Sequence, residues 1–217
     1  MQHGEPWHLL AVGLPLEFDP PIAGEDGPTL ARRAVDAGAF LAIAHPSWYS
    51  LSLDDAMSID SAHAVETYNH TAHHHNDRGE SWAIYEQLLM KGKRLHAIAT
   101  DDAHLKTRPD YFGGWVMVRC ESLDPESLVT ALKQGHSYST QGPEIHNVVV
   151  NGSELRISTS PARAYYLSGG GSSSQSQRGD RLVNGAFDLA PFTGRYCRVT
   201  VVDEWGRRAW TNAIWVP

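Results

Sequence analysis

The chain has 217 residues, an apolar content of 41% and a formal net charge of −7. This length fits one domain or two small ones. The acidic balance comes with no run of Lys or Arg, which argues against a nucleic acid or an anionic membrane as partner. No apolar stretch reaches the roughly 18 residues of a membrane span, and the first residues lack the pattern of a signal peptide.

The two cysteines, Cys120 and Cys197, lie far apart and outside any CxxC or Cys/His spacing. The sequence therefore predicts neither a zinc knuckle nor a disulfide framework, and it fits the reducing cytoplasm. Histidine is more informative, because ten of the 12 histidines precede residue 105. This asymmetry predicts that the chemistry lies in the first half of the chain.

The first half reads as alternating strands and helices. A strand in "WHLLAVGLP" is followed by a helix in "GPTLARRAVDAGA", then by strands in "FLAIAHPSW" and "AHAVETYN". A helix follows in "NDRGESWAIYEQLLMKGK", then a strand in "RLHAIATDDAH", a strand in "WVMVRC" and a helix in "DPESLVTALKQG". The alternation predicts βα units around a parallel sheet or barrel, with ligands bound at the carboxyl ends of the strands.

The composition changes after "YSTQGP", where β-rich segments separated by Gly and Asn replace the helical period. We predict one domain over residues 1–143 and a small antiparallel β-sandwich over residues 144–217. Within the second domain, "SGGGSSSQSQRGD" is polar enough to predict a flexible loop.

Ionisable residues follow three successive predicted strands: His45, the segment Glu66 to Asn69, and the segment Asp101 to His104. In an extended backbone, Asp102 and His104 point the same way and could share one metal ion or two adjacent ions. His8 stands in an apolar run, where an imidazole needs a partner. Nitrogen and oxygen donors of this kind suit Zn, Mn or Fe better than Ca. Taken singly, each residue also has a structural interpretation, as a local hydrogen-bonding group.

The motifs "HLLAVGL", "LAIAHPSW", "AVETYN" and "AIATDDAH", in this order, resemble the later motifs of the PHP (polymerase and histidinol phosphatase) superfamily. These proteins are metal-dependent phosphoesterases with a distorted βα barrel. "LKQGHSYSTQGP" and the β-rich tail resemble more narrowly the two-domain metallohydrolases of the carbaryl-hydrolase type. The resemblance spans nearly the whole chain and implies an α/β fold, the C-terminal part of a PHP-type barrel followed by the β-sandwich.

The resemblance also implies roles for individual residues. His8 and His45 would ligate the same metal ion, Asp102 would bind or bridge at another, and His104 would join a third, with Asp102 and His104 also managing protons. Asp101 stands where many relatives carry serine, so a hydrogen bond to a ligating histidine is the milder interpretation. Glu66 and Asn69 match a position that lines the pocket, for which we expect contact with substrate or with a ligand.

The chain departs from the family at its start, because the opening HxH motif, the "DH" strand end and the GxE motif are missing. Glu5 is too close to His8 to match the acid of the GxE motif. We therefore expect a barrel that lacks its first strands, with apolar surface and strand edges covered by a missing N-terminal segment or by a second copy of the chain.

The sequence leads to two hypotheses of different classes. The first is a metal-dependent hydrolase of small esters, with phosphoesters preferred over carbamates or amides, that uses two or three divalent ions and a metal-activated water. The second is a degenerate, non-catalytic protein that binds one metal ion weakly. The histidines of "HTAHHHND" could bind metal by composition, but we expect them to be flexible and solvated. Four arginines are candidate phosphate contacts, although solvation at the surface is the alternative for each: Arg32, Arg33, Arg94 and Arg108.

Overall fold

The computed structural model describes residues 5–105 and 110–217, in which two β-sheets pack with short helices. In the first half, the elements are β1 (Leu9–Val12), α1 (Gly27–Asp36), β2 (Phe40–Ile43), α2 (Leu53–Ser58), β3 (Ala64–Asn69), α3 (His70–Asn76), α4 (Trp82–Met90), β4 (His96–Thr100), β5 (Trp115–Val118) and α5 (Pro125–Gln134). The remaining strands are β6 (Ser137–Thr140), β7 (Ile145–Asn151), β8 (Glu154–Gly169), β9 (Ser174–Asp188), β10 (Tyr196–Val202), β11 (Arg208–Thr211) and β12 (Ile214–Trp215). The mixed α/β class predicted from the sequence is therefore confirmed.

The helix boundaries follow local capping chemistry. The carboxylate of Asp26 accepts a hydrogen bond from Thr29 N at 2.8 Å at the start of α1, and Asp124 accepts one from Ser127 N at 2.9 Å at the start of α5. Gly135 ends α5 in the left-handed conformation with a φ of 71°, which glycine adopts without steric cost. These caps confirm the predicted helices.

The first sheet has the strand order β1-β2-β3-β4. Strands β2, β3 and β4 are parallel, as the alternating pattern predicted. β1 instead runs antiparallel to β2, with Leu9 opposite Ile43 and Val12 opposite Phe40. This orientation has a consequence for His8, because the residue that precedes β1 comes to lie at the carboxyl end of β2.

The second sheet is antiparallel, has the order β5-β6-β11-β10-β8-β7, and curls into a half-barrel, with β9 paired to β8 and β12 to β10. The strand in "WVMVRC" is β5, and the expectation that it continues the βα pattern is wrong, because β5 pairs antiparallel with β6. β5 and β6 belong to the second sheet although both precede residue 143. The domain boundary at residue 143 stays a prediction.

The segment predicted as a flexible loop, "SGGGSSSQSQRGD", is instead largely part of the hairpin formed by β8 and β9. Its polar side chains lie mostly on an exposed face, while the backbone pairs with β8. Gln175 and Gln177 donate hydrogen bonds to the carbonyls of Asp188 and Ala186, further along β9. Backbone pairing with β8 and these side-chain hydrogen bonds hold the polar residues in a strand.

The second sheet contacts β3, β4 and α4 of the first half of the chain. The Trp210 ring, from β11, lies 5.9 Å from that of Tyr68 and 5.4 Å from that of Trp82, measured between ring centroids. The guanidinium of Arg198 lies over Trp82 and forms an ion pair with Glu86 at 2.7 Å. Asn212 accepts a hydrogen bond from Ala97 N at 2.9 Å. In the described part of the chain, no helix is long and apolar enough to cross a membrane.

Candidate functional site

A cavity of about 540 Å³ opens at the carboxyl ends of the parallel strands. Its polar wall includes His8, His45, Glu66, Thr100 and Asp102, and its apolar wall is formed largely by Trp7 and β1. Ligands of parallel α/β sheets bind at this edge, because the loops that leave the strands converge there. The structure therefore brings together three of the four predicted metal ligands, His8, His45 and Asp102, around one cavity.

Two imidazole rings contact each other in the cavity. His8 Nδ1 lies 3.1 Å from His45 Nε2, and the ring centroids are 4.8 Å apart at an interplanar angle of 77°. Burial lowers the pKa of His8, and the neighbouring His45 lowers it further. Burial also lowers the pKa of His45, against the opposing charge of Asp102. Both rings are therefore neutral at neutral pH, which is the state in which imidazole binds a metal ion.

His45 carries two signs of a constrained position. Its φ of 23° is unusual for a residue with a side chain, and Nδ1 is buried without a hydrogen-bond partner among the described residues. An unpaired buried polar atom costs about 1–3 kcal/mol, so it calls for a functional or structural explanation.

The side chain of Glu66 accepts a hydrogen bond from the backbone amide of His45 and so fixes the position of His45. The carboxylate, of which 1% is exposed, accepts hydrogen bonds from His45 N at 2.6 Å, from Asn69 Nδ2 at 3.1 Å and from the hydroxyl of Thr100. Burial raises the pKa of Glu66 despite these hydrogen bonds. With its oxygens engaged by three donors, Glu66 positions His45 more readily than it would ligate an ion itself.

Asn69 donates hydrogen bonds to both carboxylates of the cavity, Glu66 and Asp102. Its Nδ2 group donates to Asp102 Oδ2 at 3.3 Å, while its Oδ1 atom accepts from Ala72 N at 2.8 Å and so caps α3. Asp102 has a φ of 52°, and its carbonyl accepts a hydrogen bond from the hydroxyl of Thr71 at 2.9 Å. The cap of α3 and the orientation of Asp102 thus depend on one asparagine.

The carboxylate of Asp101 bonds to a neighbouring loop. It accepts hydrogen bonds from the backbone amides of Phe112, Gly113 and Gly114 at 2.6–2.9 Å. These partners are backbone groups, whereas a ligating histidine was the expected partner. Asp101 therefore anchors the chain that leads into β5.

His104 is the predicted ligand that the structure places apart from the cavity wall. Its side chain is 65% exposed, and its Nδ1 atom lies 3.4 Å from Asp110 Oδ2. Asp110 is buried and also accepts hydrogen bonds from His104 N at 3.0 Å and from the hydroxyl of Thr71 at 3.2 Å. The amide of His104 holds the pKa of Asp110 below its ordinary range.

Sequence reasoning missed three polar residues that support this site, Thr71, Thr100 and Asp110. Only Thr100 had a usable signal, because it directly precedes the acidic strand end. Among the candidate phosphate contacts, Arg33 pairs with Glu25 and Arg32 with Asp60. Arg94 lies over the ring of Trp215, and Arg108 lies outside the described residues.

The donor set fits a transition metal in part. Two nitrogens bound to zinc at about 2.0–2.1 Å with tetrahedral angles lie about 3.3–3.4 Å apart. The 3.1 Å separation of His8 Nδ1 and His45 Nε2 is close to that value. Across residues 5–105 and 110–217, however, no three His, Cys, Asp or Glu side chains lie close enough together to hold a metal ion. The cavity thus offers two ligand positions with a carboxylate nearby, and the predicted four-residue set is not assembled.

In the Glu66→Gln variant, the free energy of unfolding should lose the pH-dependent contribution of the Glu66 carboxyl. Burial raises the pKa of Glu66 above its ordinary value of 4.5, so the folded protein binds this proton more tightly than the unfolded chain does. The contribution of Glu66 to the free energy of unfolding therefore falls as the pH rises from that ordinary value through the raised pKa. Glutamine does not titrate, and its amide can replace all three hydrogen bonds.

Denaturant titrations of both proteins between about pH 4 and pH 8 test this prediction. The free energy of unfolding of the wild type minus that of the variant should decrease as the pH rises. A difference that stays constant over this range would contradict the raised pKa of Glu66.

Comparisons with known proteins give no identification: no family model, no curated protein and no solved structure matches this chain. The resemblance to the PHP superfamily therefore depends on the motifs quoted above.

Proposed function

We propose that the protein is a metal-dependent hydrolase of a small ester, in the manner of PHP-like enzymes. The observation that carries the proposal is the pair of neutral imidazoles, His8 and His45, held 3.1 Å apart in a cavity that Asp102 also lines. Two nitrogen donors with a neighbouring carboxylate suit Zn, Mn or Fe. The position at the carboxyl ends of parallel strands supports the same proposal.

Each residue has a distinct task in this proposal. His8 and His45 would hold the ion, and Asp102 would complete its shell or accept a proton. Glu66 fixes the backbone of His45, and Asn69 orients Asp102. A bound divalent ion supplies a water of lowered pKa and polarises the P=O or C=O bond of the ester.

Phosphoester hydrolysis is the preferred reaction, because it is the reaction that the family resemblance implies. The cavity volume of about 540 Å³ lies within the range for sites that bind small molecules. Hydrolysis of a carbamate or an amide is the alternative, and the apolar wall formed by Trp7 and β1 favours it, because such a wall suits an apolar leaving group.

For the fold, we propose that β2, β3 and β4 correspond to the later strands of a PHP-type barrel.

The second candidate function is non-catalytic binding of a single metal ion. Within the described ranges, fewer than three potential ligands converge, and His104 pairs with Asp110 at the protein surface. A catalytic zinc site normally has three protein ligands. A two-histidine site would bind metal weakly and leave the ester substrate unactivated.

Metal reconstitution followed by activity assays separates these candidates. Purified protein is incubated with Mn²⁺, Zn²⁺ or Fe²⁺, its bound metal is measured, and hydrolysis of p-nitrophenyl phosphate and of 1-naphthyl methylcarbamate is compared. We expect metal-dependent turnover of one substrate that Asp102→Ala abolishes and His146→Ala preserves, because His146 is exposed on the second sheet. Bound metal below about a tenth of an equivalent would refute both candidates. Metal binding without turnover would favour the non-catalytic one, provided that His8→Ala removes the bound metal.

A further inference from the structure

The helix α3 carries four of the histidines. His73, His74 and His75 are exposed, as expected, but residues His70–Asn76 form a helix in place of the expected flexible segment. Residues four apart in a helix lie on the same face, one turn from each other. His70 and His74 show this arrangement, with ring centroids 4.4 Å apart and an interplanar angle of 88°. Two imidazoles thus meet on one face of α3.

The orientation of the His70 ring is set by a neighbouring phenol. The hydroxyl of Tyr68 lies 3.0 Å from His70 Nδ1, and the Tyr68 side chain is buried. In metal sites, the second nitrogen of a ligating histidine commonly donates to a carboxylate, a backbone carbonyl or water, which fixes the tautomer and the direction of the ring. The Tyr68 hydroxyl oxygen can accept a hydrogen bond in the same way. The contact with Tyr68 engages Nδ1 and leaves Nε2 for a ligand.

Two carboxylates near His70 favour a cation at its ring. The carboxylates of Asp101 and Asp110 act electrostatically on His70, in the sense that stabilises positive charge at the ring. Burial nevertheless lowers the pKa of His70, as does the neighbouring His74. A cation that binds here would therefore displace no proton from His70 at neutral pH.

We propose that His70 and His74 form a metal-binding site on α3, separate from the cavity, for a divalent cation that prefers imidazole ligands. Cu²⁺ should bind more tightly than Zn²⁺, following the general order of affinities for nitrogen donors, and Mg²⁺ and Ca²⁺ should bind poorly because they prefer oxygen ligands. The described residues add no third His, Cys, Asp or Glu to this pair. Water would fill the remaining positions, so the bound ion stays exchangeable.

A titration with Cu²⁺, followed by ¹H–¹³C NMR spectra of the imidazole groups, tests this site directly. The paramagnetic ion should broaden the signals of His70 and His74 at lower concentrations than those of His136, an exposed histidine near the start of β6. The same result is expected in His45→Ala, because the proposal does not rest on the function of the cavity. If His70 and His74 broaden no earlier than His136, the proposal is overturned.

Variants of α3 provide the matched comparison. His74→Ala should raise the Cu²⁺ concentration needed to broaden His70 by at least about tenfold, because one of two ligands is lost. His75→Ala should leave that concentration unchanged, since His75 stacks on Trp48, with ring centroids 5.3 Å apart. Tyr68→Phe should weaken binding while both histidines remain. Equal effects of His74→Ala and His75→Ala would overturn the proposal.

Discussion

The His45→Ala variant is expected to lose metal-dependent hydrolysis and to bind metal in the cavity at least about 10- to 100-fold more weakly than the wild type. The reason is that His45 Nε2 and His8 Nδ1, 3.1 Å apart, are the two nitrogen donors of the cavity. The variant leaves one imidazole, which is too few protein ligands for a catalytic ion.

The same substitution should cost little stability in the metal-free protein. It removes the buried and unpaired Nδ1 atom of His45 and keeps the backbone amide that donates to Glu66. Loss of the unpaired atom offsets part of the packing that is lost with the ring. A purely structural histidine would behave differently, since its removal would destabilise the protein whether or not metal is present.

Thermal unfolding with and without Zn²⁺ distinguishes these cases. A ligand at 100 times its dissociation constant stabilises the folded state by about 2.7 kcal/mol. The wild type and His146→Ala should both gain stability on addition of Zn²⁺, whereas His45→Ala and His8→Ala should lose most of that gain. If His45→Ala responds to Zn²⁺ like the wild type, the two-histidine site in the cavity is wrong.

Trp210→Ala is expected to reduce the free energy of unfolding by about 3–5 kcal/mol, the range for a large buried aromatic residue. The Trp210 side chain is 1% exposed and contacts Tyr68 and Trp82 across the junction of the two sheets. Its removal leaves a cavity between them, because the neighbouring rings relax only partly into the space. The variant should therefore destabilise both sheets together.

Guanidinium titrations, followed by far-UV circular dichroism and by fluorescence, measure this effect. Trp205→Ala is the matched control, because Trp205 is 71% exposed and its replacement should change stability by about 0.5 kcal/mol or less. We expect a single transition in the wild type that Trp210→Ala shifts to a lower midpoint. Two separate transitions would show that the sheets unfold independently, and equal shifts for both variants would contradict the packing role of Trp210.

The sequence predicted most of the cavity from the ends of its strands. His45 and Asp102 follow β2 and β4, and parallel pairing places the ends of these strands at one edge. Glu66, expected at a strand end, lies within β3. His8 reaches the same edge only because β1 runs antiparallel to β2, which no local pattern indicated. His104 was predicted beside Asp102, yet positive φ angles at Asp102 and Leu105 turn the chain, and Asp110 holds the turned segment.

The sequence by itself determined the features that depend on neighbouring residues: the capped helices α1 and α5, the buried strands β2 to β4, and the acids and imidazoles at their ends. Each follows from capping, side-chain periodicity or strand length, which act over a few residues. Tertiary structure decided the features that need distant partners. These are the direction of β1, the inclusion of β5 in the second sheet, the polar strand β9 and the contact between His8 and His45. Pairing between strands brings together residues that are far apart in the sequence, and the information for that pairing is spread over both partners.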